Sequence, residues 1–469
     1  MSEILRETLT EIARKIKSRE VTSEEVTKRC LGRIRETADR NVFISVYEGE
    51  SLAQARACDL LTEAGISLGP LHGVPIALKD NINMEGLCTT AGSRILKEHI
   101  PSSDATVAAK LKSAGAVIIG KTNMHEFAWG GTTENPHYGC CGNAWDKTRN
   151  PAGSSGGSGS AVALGCCYGA LGTDTGGSVR LPSAINGITG IRPSIGRVSN
   201  YGVVPLAYSE DTVGPMCRSV EDCAVMFGVL AGHDYHDKTT VLVPTEDYTT
   251  ELEKGVKDIR LGVIKDYSML HNQPDVEKCY EEALAQFRSL GAVVKEIELP
   301  DIDTLIDAQL IIDAVEPSTI HLDMLRKQPE NYGEDVRILL EAGCMFTGTR
   351  YLQALQYRSI FKAEVEEALK EVEAIVTPTL PYTALKIGQH EIEIVPGQVE
   401  DSLSANMRYT AIASVSGKPA LSVPIGFDAN GLPVGMQILG ESFREALLFR
   451  IGNAFEKSTS YAKETPVLG

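Results

Sequence analysis

Three segments of this 469-residue chain place reactive side chains beside glycine-rich backbone. The first, Gly73-Val74-Pro75-Ile76-Ala77-Leu78-Lys79-Asp80-Asn81, is an apolar run that ends in a lone lysine. The second is Ala152-Gly153-Ser154-Ser155-Gly156-Gly157-Ser158-Gly159-Ser160, and the third is Gly172-Thr173-Asp174-Thr175-Gly176-Gly177-Ser178-Val179-Arg180. Together they supply hydroxyls, one amine and backbone N–H groups that no side chain screens. Those are the parts of an acyl-transfer site: a hydroxyl nucleophile, a base and donors for a developing oxyanion. The base in this set is a lysine, not a histidine.

Other uses of such runs fit less well. A glycine-serine stretch often serves as a flexible linker, but this one flows directly into Ala161-Val162-Ala163-Leu164, a small apolar helix-like stretch. A phosphate loop needs a lysine after its second glycine, and none follows here. The dinucleotide fingerprint begins at Gly157-Ser158-Gly159, but Val162 stands where its third glycine belongs.

The segments resemble the signature of the amidase signature family of serine hydrolases. The family's Gly-Gly-Ser-Ser-Gly-Gly-Ser appears as Ala152 to Ser158, with alanine at the first position. Its Gly-x-Asp-x-Gly-Gly-Ser-hydrophobic-Arg-x-Pro appears as Gly172 to Pro182. The likeness continues through Leu71 to Asn81, Arg192 to Val198, Ser422 to Gly426 and Gly431 to Gln437. The resemblance implies that Ser178 is the nucleophile and that Thr175, Gly176, Gly177 and Ser178 form the oxyanion hole. It also implies that Ser154, after a cis Gly153–Ser154 bond, relays the proton to Lys79 as base. A free lysine is protonated at neutral pH, but burial among Ile76, Ala77 and Leu78 favours the neutral amine. Asp80, next along the strand, points to the other face and need not pair with Lys79. Asp174 and Arg180 read as scaffold charges that pair with each other or with other charges, and Ser155 as structural.

The expected reaction is hydrolysis of an amide or urea-type C–N bond through an acyl-enzyme on Ser178, with no cofactor and no metal. The runner-up within the family is the glutamine-hydrolysing A subunit of a tRNA-dependent amidotransferase. In that branch an arginine holds the glutamine carboxylate and an aspartate its ammonium. The arginine motif is present as Tyr351, Ala354 and Arg358, whereas counting back from Ser416-Gly417-Lys418-Pro419 puts Met407 at the aspartate position. A thioether cannot hold an ammonium as a carboxylate does. Arg358 therefore reads equally as an acyl-group ligand or as a structural pair on a helix. The loop Trp129 to Cys141, with Gly130, Gly131 and Thr132, is expected to line the acyl pocket, as in relatives.

The elements that must position these residues follow from periodicity. Leu5, Leu9, Ile12, Ala13 and Ile16 repeat at helical spacing, and Thr22 opens a second helix, so residues 1–64 read as a helical N-terminal cover. Strands are expected at Val74–Leu78 and Ala116–Gly120, with a helix capped by Ser103 running to about Ala114 between them. A second unit places a strand at Ile259–Ile264, a helix from Asp275 to Leu290 and a strand at Ala292–Ile297. Alternation of this kind predicts an α/β fold, and the resemblance implies a mixed central β-sheet covered by helices on both faces. We expect one domain over 1–469, with the catalytic core at about 71–220.

The net charge of −17 argues against nucleic acid or an anionic membrane as a direct partner. The charged start Met1-Ser2-Glu3-Ile4-Leu5-Arg6-Glu7 and the lack of a long apolar run predict a cytoplasmic protein. Eleven cysteines, an odd number, read as reduced thiols, with Cys166 and Cys167 as packing residues. His233 and His236 are the one pair at ligand spacing and read as solvent-facing. The expected partner is a small amide or urea-type molecule; a homodimer is compatible with the sequence but not required by it.

Overall fold

Apolar runs long enough to be buried on both faces build a single large sheet. The structure is a computed structural model that describes residues 3–269 and 271–467. Apart from two small two-stranded ribbons, Glu134–Asn135 with Gly139–Cys140 and Glu391–Val395 with Gln398–Asp401, its strands are β1 (Phe43–Val46), β2 (Pro75–Lys79), β3 (Val117–Thr122), β4 (Gly169–Asp174), β5 (Thr189–Arg192) and β6 (Thr212–Cys217). They continue with β7 (Arg260–Ile264), β8 (Val293–Ile297), β9 (Ala374–Pro378), β10 (Ala420–Phe427) and β11 (Pro433–Gly440). All eleven form one sheet in the order β1-β3-β2-β4-β6-β5-β10-β11-β9-β7-β8. β2 lies parallel to both β3 and β4, β7 is parallel to β8 and β9, and the remaining pairs are antiparallel. Every residue of β2, β3, β4, β9 and β11 is buried. Strands covered by helices on both faces read as continuous apolar runs, and the mixed α/β expectation holds.

The N-terminal cover consists of helices Leu9–Lys17, Ser23–Glu36 and Glu48–Glu63. Thr22 caps the second by accepting from Glu25 N at 3.1 Å. Leu9, Ile12 and Ile16 face the core. One correction falls within this span: Phe43–Val46 is not helical but is the edge strand β1, paired with β3. Four residues at a sheet edge carry too little alternation to register as a strand. A second correction concerns Ser103. The helix starts later, at Thr106–Ser113, and its N-cap residue Ala105 makes no side-chain cap. The second unit matches closely, as strand Arg260–Ile264, helix Pro274–Ser289 and strand Val293–Ile297. All eleven cysteines are free thiols, and Cys166 and Cys167 are buried in the main core. Among the described residues no helix is long and apolar enough to cross a membrane.

Candidate active site

The parallel pairing of β2 with β4, Leu78 opposite Leu171, brings the C-terminal end of one strand beside that of the other. Lys79 closes β2 and is fully buried. Its Nζ donates to Ser154 Oγ at 2.7 Å and to Thr173 Oγ1 of β4 at 2.8 Å. Asn81 Nδ2 donates to the same Thr173 oxygen at 3.2 Å. Asp80 turns away and takes its cation from Lys121, 2.9 Å distant. Burial pushes the Lys79 amine down from 10.5 to about 7, against the opposing pull of Asp211 and Asp174. An amine with that pKa is divided between its acid and base forms at neutral pH. Ser154 follows a cis peptide bond with Gly153 and precedes the fully buried helix Gly156–Leu164. Ser155, by contrast, spends its hydroxyl on Thr173 O at 3.2 Å, as a structural residue does.

The third segment forms a turn between β4 and the helix Arg180–Asn186. Asp174 fixes its start. Its carboxylate lies 2.8 Å from Arg180 and 3.0 Å from Arg192, all three side chains buried, and accepts from Val179 N at 3.1 Å. Burial alone would raise this carboxyl, but Arg180 and then Arg192 hold it well below the usual carboxylate range. Thr175 Oγ1 donates to Asp211 at 2.6 Å, and Thr410 Oγ1 donates to Gly176 O at 2.6 Å. Gly177 has φ +134°, a conformation that favours glycine, and a Cβ there would strike Thr410 Oγ1 at 2.8 Å. Among the described residues nothing accepts from the backbone N–H of Gly176, Gly177 or Ser178. Asp174→Asn would leave two buried guanidiniums short of a counter-charge, so a stability loss of about 3–5 kcal/mol is expected. A denaturation midpoint equal to that of the unmodified protein would count against this account.

Ser178 lines a narrow cavity of about 30 Å³. It is lined by Trp129, Gly130 and Gly131, by Asp313, Leu403, Asn406 and Met407, by Gly153 and Gly176 beside the serine, and by Ala128, Leu181 and Leu206. Tyr382 donates to Asn406 Oδ1 at 2.5 Å, which leaves the Asn406 amide nitrogen against Gly131. A Cβ on Gly131 would sit 2.3 Å from that nitrogen, and one on Gly130 would sit 2.3 Å from His125 Nε2. Gly131→Ala is therefore expected to displace Asn406 and raise KM by at least about tenfold, with the fold retained; an unchanged KM would refute the tight wall. Thr132 is buried but does not line the cavity; its Oγ1 accepts from Glu134 N at 3.3 Å. Met407 does lie in the cavity. Arg358 does not: its guanidinium donates to Ser209 Oγ at 2.7 Å, Ser209 O at 2.6 Å and Val415 O at 3.1 Å. A larger cavity, about 280 Å³, reaches Thr173, which anchors Lys79, and Asn81, which donates to Thr173; it shares Ala128 and Leu206 with the first.

Residues 25–449 match the family described as Amidase. The chain belongs to the amidase signature family. It is 40% identical to the A subunit of the glutamyl-tRNA(Gln) amidotransferase of Hahella chejuensis, over 99% of this chain and 100% of that one. Among solved structures it is similar to a chain described with a vestigial protein complex that reveals the evolutionary origins of an s-triazine catabolic enzyme, with a TM-score of 0.92 and 31% identity over 96% of this chain and 98% of the other. It is also similar to the A subunit of the glutamyl-tRNA(Gln) amidotransferase of Thermotoga maritima, with a TM-score of 0.84 and 34% identity over 99% and 98% of the two chains.

In this amidase family member the structure brings Lys79 and Ser154 into contact and sets Ser178 and its turn on the cavity. Gly130 and Gly131 join them there, and Arg358 stays outside. Sequence reasoning missed Thr173, Asn81, Asp313 and Asn406. Thr173 lies inside the third glycine-rich segment, but its contact with Lys79 depends on parallel pairing across 94 positions. Asp313 and Asn406 sit on helices Leu305–Lys327 and Ser402–Ser416, which carry no motif.

Proposed function

We propose that this chain hydrolyses the C–N bond of a small linear amide or urea-type substrate through an acyl-enzyme on Ser178, releasing ammonia or an amine. The observation that carries this reading is the buried Lys79–Ser154 contact of 2.7 Å, made by an amine whose burial brings it to about 7. Ser178 Oγ attacks the carbonyl carbon. Its proton passes to Ser154 Oγ, and the Ser154 proton passes to neutral Lys79. The carbonyl oxygen, becoming an oxyanion, takes hydrogen bonds from the free N–H groups of the Gly176–Ser178 turn, each worth about 3 kcal/mol in the transition state. Lys79 then returns the proton through Ser154 to the leaving nitrogen, and the C–N bond breaks. Water attacks the ester by the same relay run again, which frees the acid and restores Ser178. The narrow cavity favours a small acyl group.

The second reading is the A subunit of a tRNA-dependent amidotransferase, and its specific support is the 40% identity to such a protein over the full chain. Against it, Met407 lines the cavity where that branch has an aspartate, and Arg358 is engaged by Ser209 and Val415. In the first reading the chain works alone on a small molecule, without tRNA. The deciding experiment follows ammonia release by the purified chain on simple amides, ureas and glutamine. Turnover of an amide or urea without other subunits supports the first reading. Activity on glutamine alone, or only in a complex with further subunits and tRNA, supports the second.

A further inference from the structure

Beside the cavity at Ser178 lies a buried cluster of acceptors without donors. Asp313 and Gln309 lie one turn apart on the helix Leu305–Lys327, and both are buried. Gln309 Nε2 donates to Glu210 Oε2 at 2.6 Å and to Asp313 Oδ2 at 2.9 Å, which uses both of its amide hydrogens. Among the described residues, three buried oxygens of this cluster have no hydrogen-bond partner: Asp313 Oδ1, Gln309 Oε1 and Glu210 Oε1. Glu210 at least has a cation nearby, Arg358 at 3.9 Å. Among the described residues Asp313 has no ion-pair partner, and it alone of the three lines the cavity.

Its position relative to the reacting atoms is set by Gly176. A Cβ on that glycine would meet Asp313 Oδ2 at 3.3 Å and Met407 Sδ at 4.0 Å, so the carboxyl sits against the oxyanion turn. Burial, and after it Glu210, push the Asp313 carboxyl well above its ordinary range, as befits a carboxyl with no cation beside it; a bound ammonium would restore its charged form. A buried acceptor with no donor is destabilising, and such groups in folded proteins nearly always find a partner. Among the described residues, those lining the cavity include no lysine or arginine, so a carboxylate on the substrate would find no cation there.

We propose that Asp313 determines specificity by receiving a positively charged N–H donor on the acyl portion of the substrate, so that the site selects amino-amides lacking a carboxylate. This rests on Ser178 carrying the acyl group. A carboxylate is thus supplied from a helix other than the one bearing Met407, while Arg358 faces elsewhere.

The test is calorimetric binding to the Ser178→Ala protein, which does not turn ligand over. The ligands are glycinamide, β-alaninamide, 4-aminobutanamide and 5-aminopentanamide, each against the amide with methyl in place of ammonium, together with glutamine. At one chain length the ammonium ligand is expected to bind at least about tenfold more tightly than its methyl partner, and glutamine more weakly than 4-aminobutanamide. Adding Asp313→Asn should abolish that preference. Asp313→Glu should keep it and move the optimum to a shorter chain, a change that a purely structural role would not produce. Equal binding of the matched pairs, a preference that survives Asp313→Asn, or no binding by any member of the series would overturn the proposal. Turnover by the unmodified enzyme tests Ser178 separately, so failure of one reading is distinguishable from failure of the other.

Discussion

Ser178→Ala is expected to lower kcat by about 10⁴-fold or more and to abolish covalent labelling by a sulfonyl fluoride, with the thermal unfolding midpoint unchanged. Ser178 ends a turn whose N–H groups at Gly176, Gly177 and Ser178 have no acceptor among the described residues, and the residue lines the cavity. Removing its oxygen leaves the oxyanion donors and the Lys79–Ser154 pair in place but no atom to carry the acyl group. Ser154→Ala should behave differently. It breaks the proton path but keeps nucleophile and oxyanion donors, so slow acylation persists. A Ser178→Ala protein that is still labelled at the normal rate would remove Ser178 from the mechanism.

Lys79→Ala and Lys79→Arg are both expected to lose most activity, by at least about 10²-fold, and arginine should not rescue. A guanidinium keeps the positive charge but holds its proton at every working pH, so it cannot accept one from Ser154. For the unmodified enzyme the sign follows from the depressed pKa. The competent form is the neutral amine, so kcat/KM should be low in acid and rise as pH passes through about 7. An ordinary lysine would place that limb near 10.5. Activity in Lys79→Arg equal to that of the unmodified enzyme, or a rising limb near the ordinary lysine value, would mean that the base lies elsewhere.

What could be read from the chain alone divides along a physical line. Local chemistry was legible: the glycines that open the turn, the serines beside them, and the apolar run that buries Lys79. The strands were legible too where burial on both faces makes a continuous apolar run, as in β2 and β3. Contacts between distant segments were not. That Thr173 anchors Lys79 depends on β4 pairing with β2, and nothing in either segment specifies its neighbour. Arg358 shows the same limit, because its motif is present but its side chain is held by Ser209 and Val415, outside the cavity. Edge strand β1 was too short, and Ser103 lay two residues before the N-cap at Ala105.

The cavity's lining comes from well-separated stretches of chain. The reacting atoms and the Gly130–Gly131 wall lie between Lys79 and Ser178, whereas Asp313, Leu403, Asn406 and Met407 belong to two later helices. Reactivity and selectivity are therefore separable by inheritance. A gene lineage could diversify the cavity-facing positions of helices Leu305–Lys327 and Ser402–Ser416 while keeping Thr410, which holds the oxyanion turn. Exchanging these two helices between relatives should carry substrate preference with them, which makes them the natural unit for recombination.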